Sequence, residues 1–526
     1  MASVKLLDCT LRDGGYINNW EFGNKNIYAI CERLISANID IVEVGFMTDL
    51  FHEEGQSLYN NENELRKVIP KMKGNTRYAA MIALGEKEMN PEGLQDEENS
   101  LIDIVRLTFH NEPTEQNRAI EFARILMEKG YLVCMQPVGT TTYSDEQLID
   151  LIQKINELNP FAFYLVDTLG CLYKQELLRL LYLIDHNLKS GICIGFHSHN
   201  NIQMSFANAQ EIAEFPSQRQ FIVDSSVYGM GRGAGNLCTE IAAEFLNRTA
   251  NTQYNIFPLM EVVDECLIPI YLNNPWGYSA GYFLSSIRNC HPNYSSYLLS
   301  KQTLRVRDIG KILNEIPLKC RHTFDKNLIK KLYLAFQENE IDDTRERERL
   351  LCECSNRKIL LIAPGKSVQM QRGEILNFIS REHPYTIAIN FQPDFPLDLI
   401  FVSNRKRFQT INMEVPEILF TSNVKMRPTN ARTVNYSSLL NSNDYVYDNA
   451  GLMLINLLMQ CGVTEVFLAG FDGFSKNNVE NYYEVNQVGA VEREDLLRLT
   501  KNIESQLILF SKKVKICFLT KTSYEV

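Results

Sequence analysis

The 526-residue sequence predicts an α/β protein, a (β/α)8 barrel with a helical extension followed by a separate α/β domain. Three observations carry this. Short, β-rich apolar runs alternate with amphipathic helical stretches over the first 230 residues, and there are eight of them. Side chains that carry chemistry fall just past the ends of those runs, where the working face of such a barrel lies. A second strand–helix rhythm begins at Lys358, after a densely charged segment.

The first eight runs occupy residues 4–10, 39–46, 77–84, 101–109, 131–138, 161–168, 191–197 and 220–227. Between them, residues 117–130 place Ile120, Ala123, Leu126 and Met127 on one helical face, and residues 146–158 repeat that period. An open, doubly wound sheet is the alternative that rhythm alone allows. The distribution of reactive groups favours the barrel. Arg12 and Asp13 follow the first run and Glu43 lies in the second. Arg106 and His110 belong to the fourth, Gln136 to the fifth and Asp167 to the sixth. His197 and His199 end the seventh, and the eighth leads into "YGMGRGAGN" (228–236), four alternating glycines ending in Asn236. The barrel is expected over residues 1–236.

Residues 237–337 read as a helical extension, rich in aromatic and small polar residues, that would cover the barrel mouth. Tyr278 is its candidate acid, with plain packing as the other reading. Residues 338–357 carry many charges and neither Gly nor Pro, and read as an exposed helical connector with a solvated face. Residues 358–526 form the second α/β domain, with strand-like runs at 358–367, 385–391, 397–404, 417–423 and 464–475 and a helix-like run at 450–462. Its first turn, "APGKS" (363–367), ends like a phosphate-binding loop. Leu360 stands where the first glycine of that motif belongs, which excludes the full motif. Gly365, Lys366 and Ser367 could still hold a phosphate of a nucleotide or nucleotide sugar through backbone N–H groups.

Composition narrows the partners. Hydrophobic residues make up 45% and charged residues 22%, ordinary for a globular protein, and the net charge of −11 argues against nucleic acid or an anionic membrane. No apolar stretch approaches the length of a membrane span. Thirteen scattered cysteines, none in a C-x-x-C pair, fit reduced thiols, and the start has no basic-plus-apolar leader. The expectation is a cytoplasmic protein working on small molecules, with a homo-oligomer admitted.

His197 and His199 are two apart, so in a strand they point the same way. They are either half of a metal site or ordinary polar residues at a strand end. A carboxylate such as Asp13 with two imidazoles suits an octahedral divalent ion, Mn2+ or Mg2+, or a more azophilic one such as Co2+ or Zn2+. Such an ion can bind a 2-oxo acid and stabilise its enolate, and Arg12 would offer a fixed cation for the same charge. A surface ion pair is the bland reading of Arg12 and Asp13.

"DCTLRDGG" at the first strand, "HSHNN" at the seventh and "GMGRGAGN" after the eighth resemble the DRE-TIM metallolyase superfamily, in matching order across residues 4–300. The resemblance implies a TIM barrel with a divalent metal on Asp13, His197 and His199. It makes Asn236 a further or outer ligand and Arg12 the enolate-stabilising cation. Within the superfamily the short "RDG" with "GAGN" looks most like 4-hydroxy-2-oxovalerate aldolases. Those enzymes carry a catalytic histidine three residues after the metal aspartate, where this chain has Tyr16. The proton would then be moved by Tyr16 with the metal's help, by His110 or by a metal-bound water, or Tyr16 would serve only to position the substrate. Glu43 and Asp167 sit where the family places residues near the site, with structural hydrogen bonding as the other reading. The second domain more weakly resembles Rossmann-like sialyltransferase-like and pterin-pyrophosphokinase-like domains of glycan clusters, over residues 358–475. The expected function is a metal-dependent aldolase or lyase of the pyruvate-enolate type, with a sugar-derived aldehyde as partner in surface-polysaccharide synthesis. Claisen chemistry with an acyl-CoA is the alternative, as is a binding protein that has lost catalysis.

Overall fold

Strands buried on both faces dominate the first half of the chain. In the computed structural model, which describes residues 3–301, 303–411, 417–425, 427–474, 483 and 493–526, they are β1 (Ser3–Asp8), β2 (Ile41–Met47), β3 (Leu58–Tyr59), β4 (Arg77–Ala83), β5 (Ile104–Phe109), β6 (Leu132–Pro137), β7 (Ala162–Asp167), β8 (Cys193–Ser198) and β9 (Gln220–Ser225). All are parallel, in the order β1-β9-β8-β7-β6-β5-β4-β2-β3. Pairing of β1 with β2 at Leu7↔Ile41 and Asp8↔Val42 closes eight of them into a barrel. Closure decides between the barrel and the open sheet. The short β3 hangs on β2 outside the eight, and its two residues left no pattern to read.

The strands are near-continuous apolar runs because helices cover their outer faces while side chains fill the inside. Inward residues include Leu7, Ile41, Ala79, Ile104, Cys134, Tyr164 and Ile222. The outer faces meet helices such as Pro113–Glu128, which buries Ala119, Ile120, Ala123 and Leu126, and Asp145–Leu158, opened by a Ser144–Gln147 capping box.

The chain divides into two compact units: Met1–Ser296 with Pro317–Phe324, and Tyr297–Ile316 with Asp325–Val526. The expected helical extension is therefore not one body. Its first part stays with the barrel, where the Trp276 indole donates to Tyr228 O (3.0 Å) and the Ser286 hydroxyl to Leu169 O (2.6 Å), tying it to loops beyond β9 and β7. Its later helices belong to the second unit. There Tyr333 is fully buried and its hydroxyl donates to Asp448 (2.5 Å).

The second unit holds a seven-stranded parallel sheet in the order β14-β13-β12-β11-β10-β15-β16. Its strands are β10 (Ile359–Ile362), β11 (Tyr385–Ile389), β12 (Leu399–Val402), β13 (Glu417–Thr421), β14 (Arg432–Val434), β15 (Glu465–Ala469) and β16 (Lys515–Phe518). The short β14 and β16 escaped the sequence reading. The expected 464–475 strand ends at Ala469, and its last residue, Ser475, lies outside the described residues. Helix Arg372–Glu382 packs on one face of the sheet and the almost wholly buried Ala450–Gln460 on the other. The order runs outward from β10 in both directions, a doubly wound arrangement. Most residues of the charged segment are exposed, but one face of it packs into this unit. Its helix, Thr344–Cys354, buries Leu350 and Cys354 in the core of this unit, and Arg432 of β14 pairs with its Glu346 (2.6 Å) and Glu353 (2.8 Å). Among the described residues no helix is long and apolar enough to cross a membrane.

Candidate metal centre

The chain leaves β1 in a tight turn, with the amides of Arg12 and Asp13 both donating to Cys9 O (3.1 and 2.8 Å). That turn presents both side chains at the carboxyl end of the barrel. β8 delivers His197, and His199 follows it. An isolated backbone bridge between His199 and Asn236 brings the glycine loop alongside. Asp13, His197 and His199, all buried, each offer a ligand atom within 4.8 Å of the other two.

The remaining donors of this cluster favour a cation. Asn236 Nδ2 donates to Asp13 Oδ2 (2.7 Å), while Asn236 Oδ1 and His199 Nδ1 are buried with no hydrogen-bond partner among the described residues. His197 Nδ1 lies 2.9 Å from Asp224 Oδ2, so the imidazole donates there and keeps its Nε2 lone pair for a ligand. Burial pushes His199 down to about 3 against the pull of Asp13, which keeps it neutral. Burial would raise the Asp13 carboxyl, but Arg12, His199, His197 and Arg232 hold it well below the usual carboxylate range. The donor set thus fits a divalent ion.

A chain of buried ion pairs supports the cluster. Arg12 Nη1 meets Asp13 Oδ1 (2.6 Å), and Arg12 Nε donates to Glu43 Oε2 (2.8 Å). Arg106 Nη1 lies 2.7 Å from the same Glu43 oxygen, and Arg106 Nη2 pairs with Asp224. Three carboxylates (Asp13, Glu43, Asp224) thus face the guanidiniums of Arg12 and Arg106, with Arg232 near enough to act on Asp13 as well.

The other predicted residues are spread more widely. Tyr16 lies beside the cluster, half-buried, with the Arg232 guanidinium 5.3 Å and the Lys87 ammonium 5.5 Å from its ring centroid. Burial pushes its hydroxyl up to about 12 in spite of Arg232. Asp167 is buried at the end of β7, but its two oxygens accept from the amides of Cys171 and Leu172 (3.0 Å each) and hold the following loop. His110 stands on the rim of β5, its ring paired with Glu115 (3.0 Å). Tyr278 is 62% exposed, so the structure does not bring it into the cluster. In the second unit, the Ser367 amide and hydroxyl both donate to Asp472 (2.7 and 2.5 Å), so the anion at the Gly365-Lys366-Ser367 turn is the chain's own.

Sequence reading missed Asp224, whose only signal was a carboxylate inside an apolar run. It also missed Arg232 and Lys87 near Tyr16. His291, from the extension, went unread as well. This imidazole is pushed down to about 3, first by burial and then by Arg232, His199 and His110, and its Nδ1 accepts from the Asn293 amide (3.2 Å).

The glycine loop is explained by space. Gly235 has φ +81°, and a Cβ there would sit 2.1 Å from Gly229 O. A Cβ on Gly231 would fall 2.3 Å from Asn236 Nδ2 and 2.7 Å from Asp13 Oδ2. Gly231→Ala should therefore push these two side chains apart and weaken Mn2+ binding by about tenfold or more, read by electron paramagnetic resonance titration. Unchanged affinity would remove the Asp13–Asn236 pair from the metal site.

Residues 106–265, which include His197, His199, Asp224 and Asn236, match the HMGL-like family. The chain resembles curated enzymes at low identity. It is 26% identical over 321 residues to the 4-hydroxy-2-oxovalerate aldolase of Bacillus cereus, an alignment covering 60% of this chain and 90% of that enzyme. It is also 26% identical over 245 residues to the oxaloacetate decarboxylase of Mycobacterium tuberculosis, covering 46% of this chain and 70% of the relative. Among solved structures, the N-terminal domain of a protein designated an aldolase from Bacteroides vulgatus superposes with a TM-score of 0.47 at 25% identity, covering 56% of this chain and 96% of that one. The family match and the two relatives agree with the DRE-TIM resemblance of the motifs.

Proposed function

We propose that the barrel is a divalent-metal-dependent aldolase or lyase that acts on 2-oxo acids through a pyruvate-type enolate. The observation that carries this reading is the convergence of Asp13, His197 and His199 next to Arg12, whose buried Nη2 has no partner among the described residues. The names of the two relatives, an aldolase and a decarboxylase of 2-oxo acids, support the reaction class.

Asp13, His197 and His199 would hold the metal, Mn2+ or Mg2+ with Co2+ or Zn2+ as alternatives, and Asn236 Oδ1 is the further donor. When bound, the metal would act as a Lewis acid on the carboxylate and carbonyl oxygens of the substrate. Arg12 Nη2 donates to the oxygen that becomes anionic as the enolate forms, in a buried site where such a donor is worth most. Asp224 holds the Nδ1 proton of His197 and fixes its tautomer. Tyr16, with its hydroxyl pushed up to about 12, keeps its proton at neutral pH and serves as a hydrogen-bond donor rather than a base. His110, on the rim with Glu115, exchanges the hydroxyl proton with solvent. The partner aldehyde is taken as sugar-derived because of the second domain's resemblance to glycan-cluster domains.

The test is solvent deuterium exchange into the methyl group of pyruvate, followed by NMR with Mn2+ or Mg2+. Metal-dependent exchange is expected in the native chain, and Asp13→Ala should reduce it to the uncatalysed background. No exchange with either ion would overturn the pyruvate-enolate reading and bring acyl-CoA chemistry forward, which release of free CoA would reveal. Turnover of pyruvate with a panel of sugar aldehydes tests the aldehyde, and failure with every member would sink that part alone.

A further inference from the structure

The second unit contains a cleft of about 520 Å3 that the barrel's chemistry does not use. It opens beyond the carboxyl ends of β11 and β12, where Asn390, Ser403 and Asn404 line it. Five cations meet in it, Lys301, Lys326, Lys330, Arg407 and Arg498, against two carboxylates, Asp444 and Asp448. The carboxylates are already engaged, Asp444 with Lys330 (2.5 Å) and Asp448 with the Tyr333 hydroxyl (2.5 Å). Lys326 and Arg498 both lie against the Tyr445 ring, at 5.0 and 4.6 Å, which offsets part of their mutual repulsion. Asn449 caps the eleven-residue helix Ala450–Gln460, whose positive end also faces the cleft. In a chain of net charge −11, so many cations in one concavity mark a site for an anion.

A smaller cleft of about 240 Å3 adjoins it, sharing Asn390, Arg407, Asn449, Ala450 and Phe474. It lies where the sheet turns from β10 toward β15, between Gly365 and Gly470, and apolar side chains such as Ile389, Phe471 and Ile503 line it. Ligands of doubly wound sheets bind at this switch point, beyond the carboxyl ends of the strands. Together the two clefts have the size and the division of character of a small-ligand site, one end cationic and the other weakly charged.

We infer that these two clefts form one binding site for a nucleoside phosphate, its phosphates among Lys326, Lys330, Arg407 and Arg498 and its nucleoside at the switch point. This goes beyond the aldolase reading and does not depend on it. It also places the phosphates away from the Ser367 turn, whose donors Asp472 already holds.

Isothermal titration calorimetry on the full chain tests it, with inorganic pyrophosphate and with CMP, UDP, ADP and GDP as probes. At least one nucleotide should bind with a Kd below about 1 mM, and pyrophosphate should compete with it. Raising the salt concentration should weaken binding, and the double variant Lys330→Gln/Arg498→Gln should weaken it by about tenfold or more. Circular dichroism confirms that the variant is folded, and its barrel-dependent pyruvate exchange should match the native chain. The inference is overturned if no nucleotide binds, if pyrophosphate does not compete, or if the folded double variant binds as tightly as the native chain.

Discussion

Arg106→Met is expected to destabilise the barrel by about 3–5 kcal/mol, because it leaves two buried carboxylates without their shared cation. Arg106 is wholly buried, stacked 4.9 Å from the Tyr164 ring centroid, between Glu43 and Asp224. Methionine replaces most of the side-chain volume, so the loss reports charge rather than a cavity. In the native chain burial works to raise the Asp224 carboxyl, but Arg106 and His197 hold it below its ordinary value. A lowered folded pKa contributes stability above the unfolded value of about 3.9, and that contribution disappears as pH falls through the folded value. In the variant Glu43 keeps Arg12, but at Asp224 burial prevails and the folded pKa rises. Folding then binds protons, so the deficit of the variant should shrink as pH is lowered from 7 toward 5. Urea unfolding at several pH values checks both size and sign, with the second unit's transition as internal reference. A loss below about 1 kcal/mol would mean that Arg106 carries no more than an exposed ion pair does.

That network shows why the barrel was legible and its support was not. Strands such as β2 and β8 are buried on both faces, so their apolar runs stand out at short range. His197 and His199 were legible for the same local reason, since two residues apart on a strand means one face. Arg106 and Asp224 are 118 positions apart, and each alone reads as a charge interrupting an apolar run. Periodicity reports faces, not partners, so only closure of the barrel shows that they meet. The same blindness hid how one face of residues 338–357 joins its unit, because Arg432, which holds Glu346 and Glu353, comes from β14, a strand of three residues. It also hid the cationic cleft, whose lysines come from before Lys358 and whose Arg498 comes from the other end of the unit.

Arg12→Lys should separate charge from geometry at the candidate metal centre. Arginine does three things there at once: Nη1 meets Asp13, Nε donates to Glu43, and Nη2 is left, buried and without a partner among the described residues. Lysine keeps the positive charge that holds Asp13 ionised, so Mn2+ affinity should stay within about tenfold of the native value. It cannot bridge Asp13 and Glu43 and still aim a third donor, because an ammonium is a point charge where guanidinium is a planar fork. If Nη2 is the donor that meets the developing enolate, metal-dependent exchange into pyruvate should fall about 10²–10³-fold at saturating metal. The drop should appear in the rate at saturating pyruvate more than in the pyruvate concentration needed for half-saturation, since the interaction strengthens only as negative charge develops. A loss of metal binding in parallel with rate would instead assign Arg12 to holding Asp13 in place. Exchange within about threefold of the native chain would leave the unpartnered N–H without a catalytic role and move enolate stabilisation to another group.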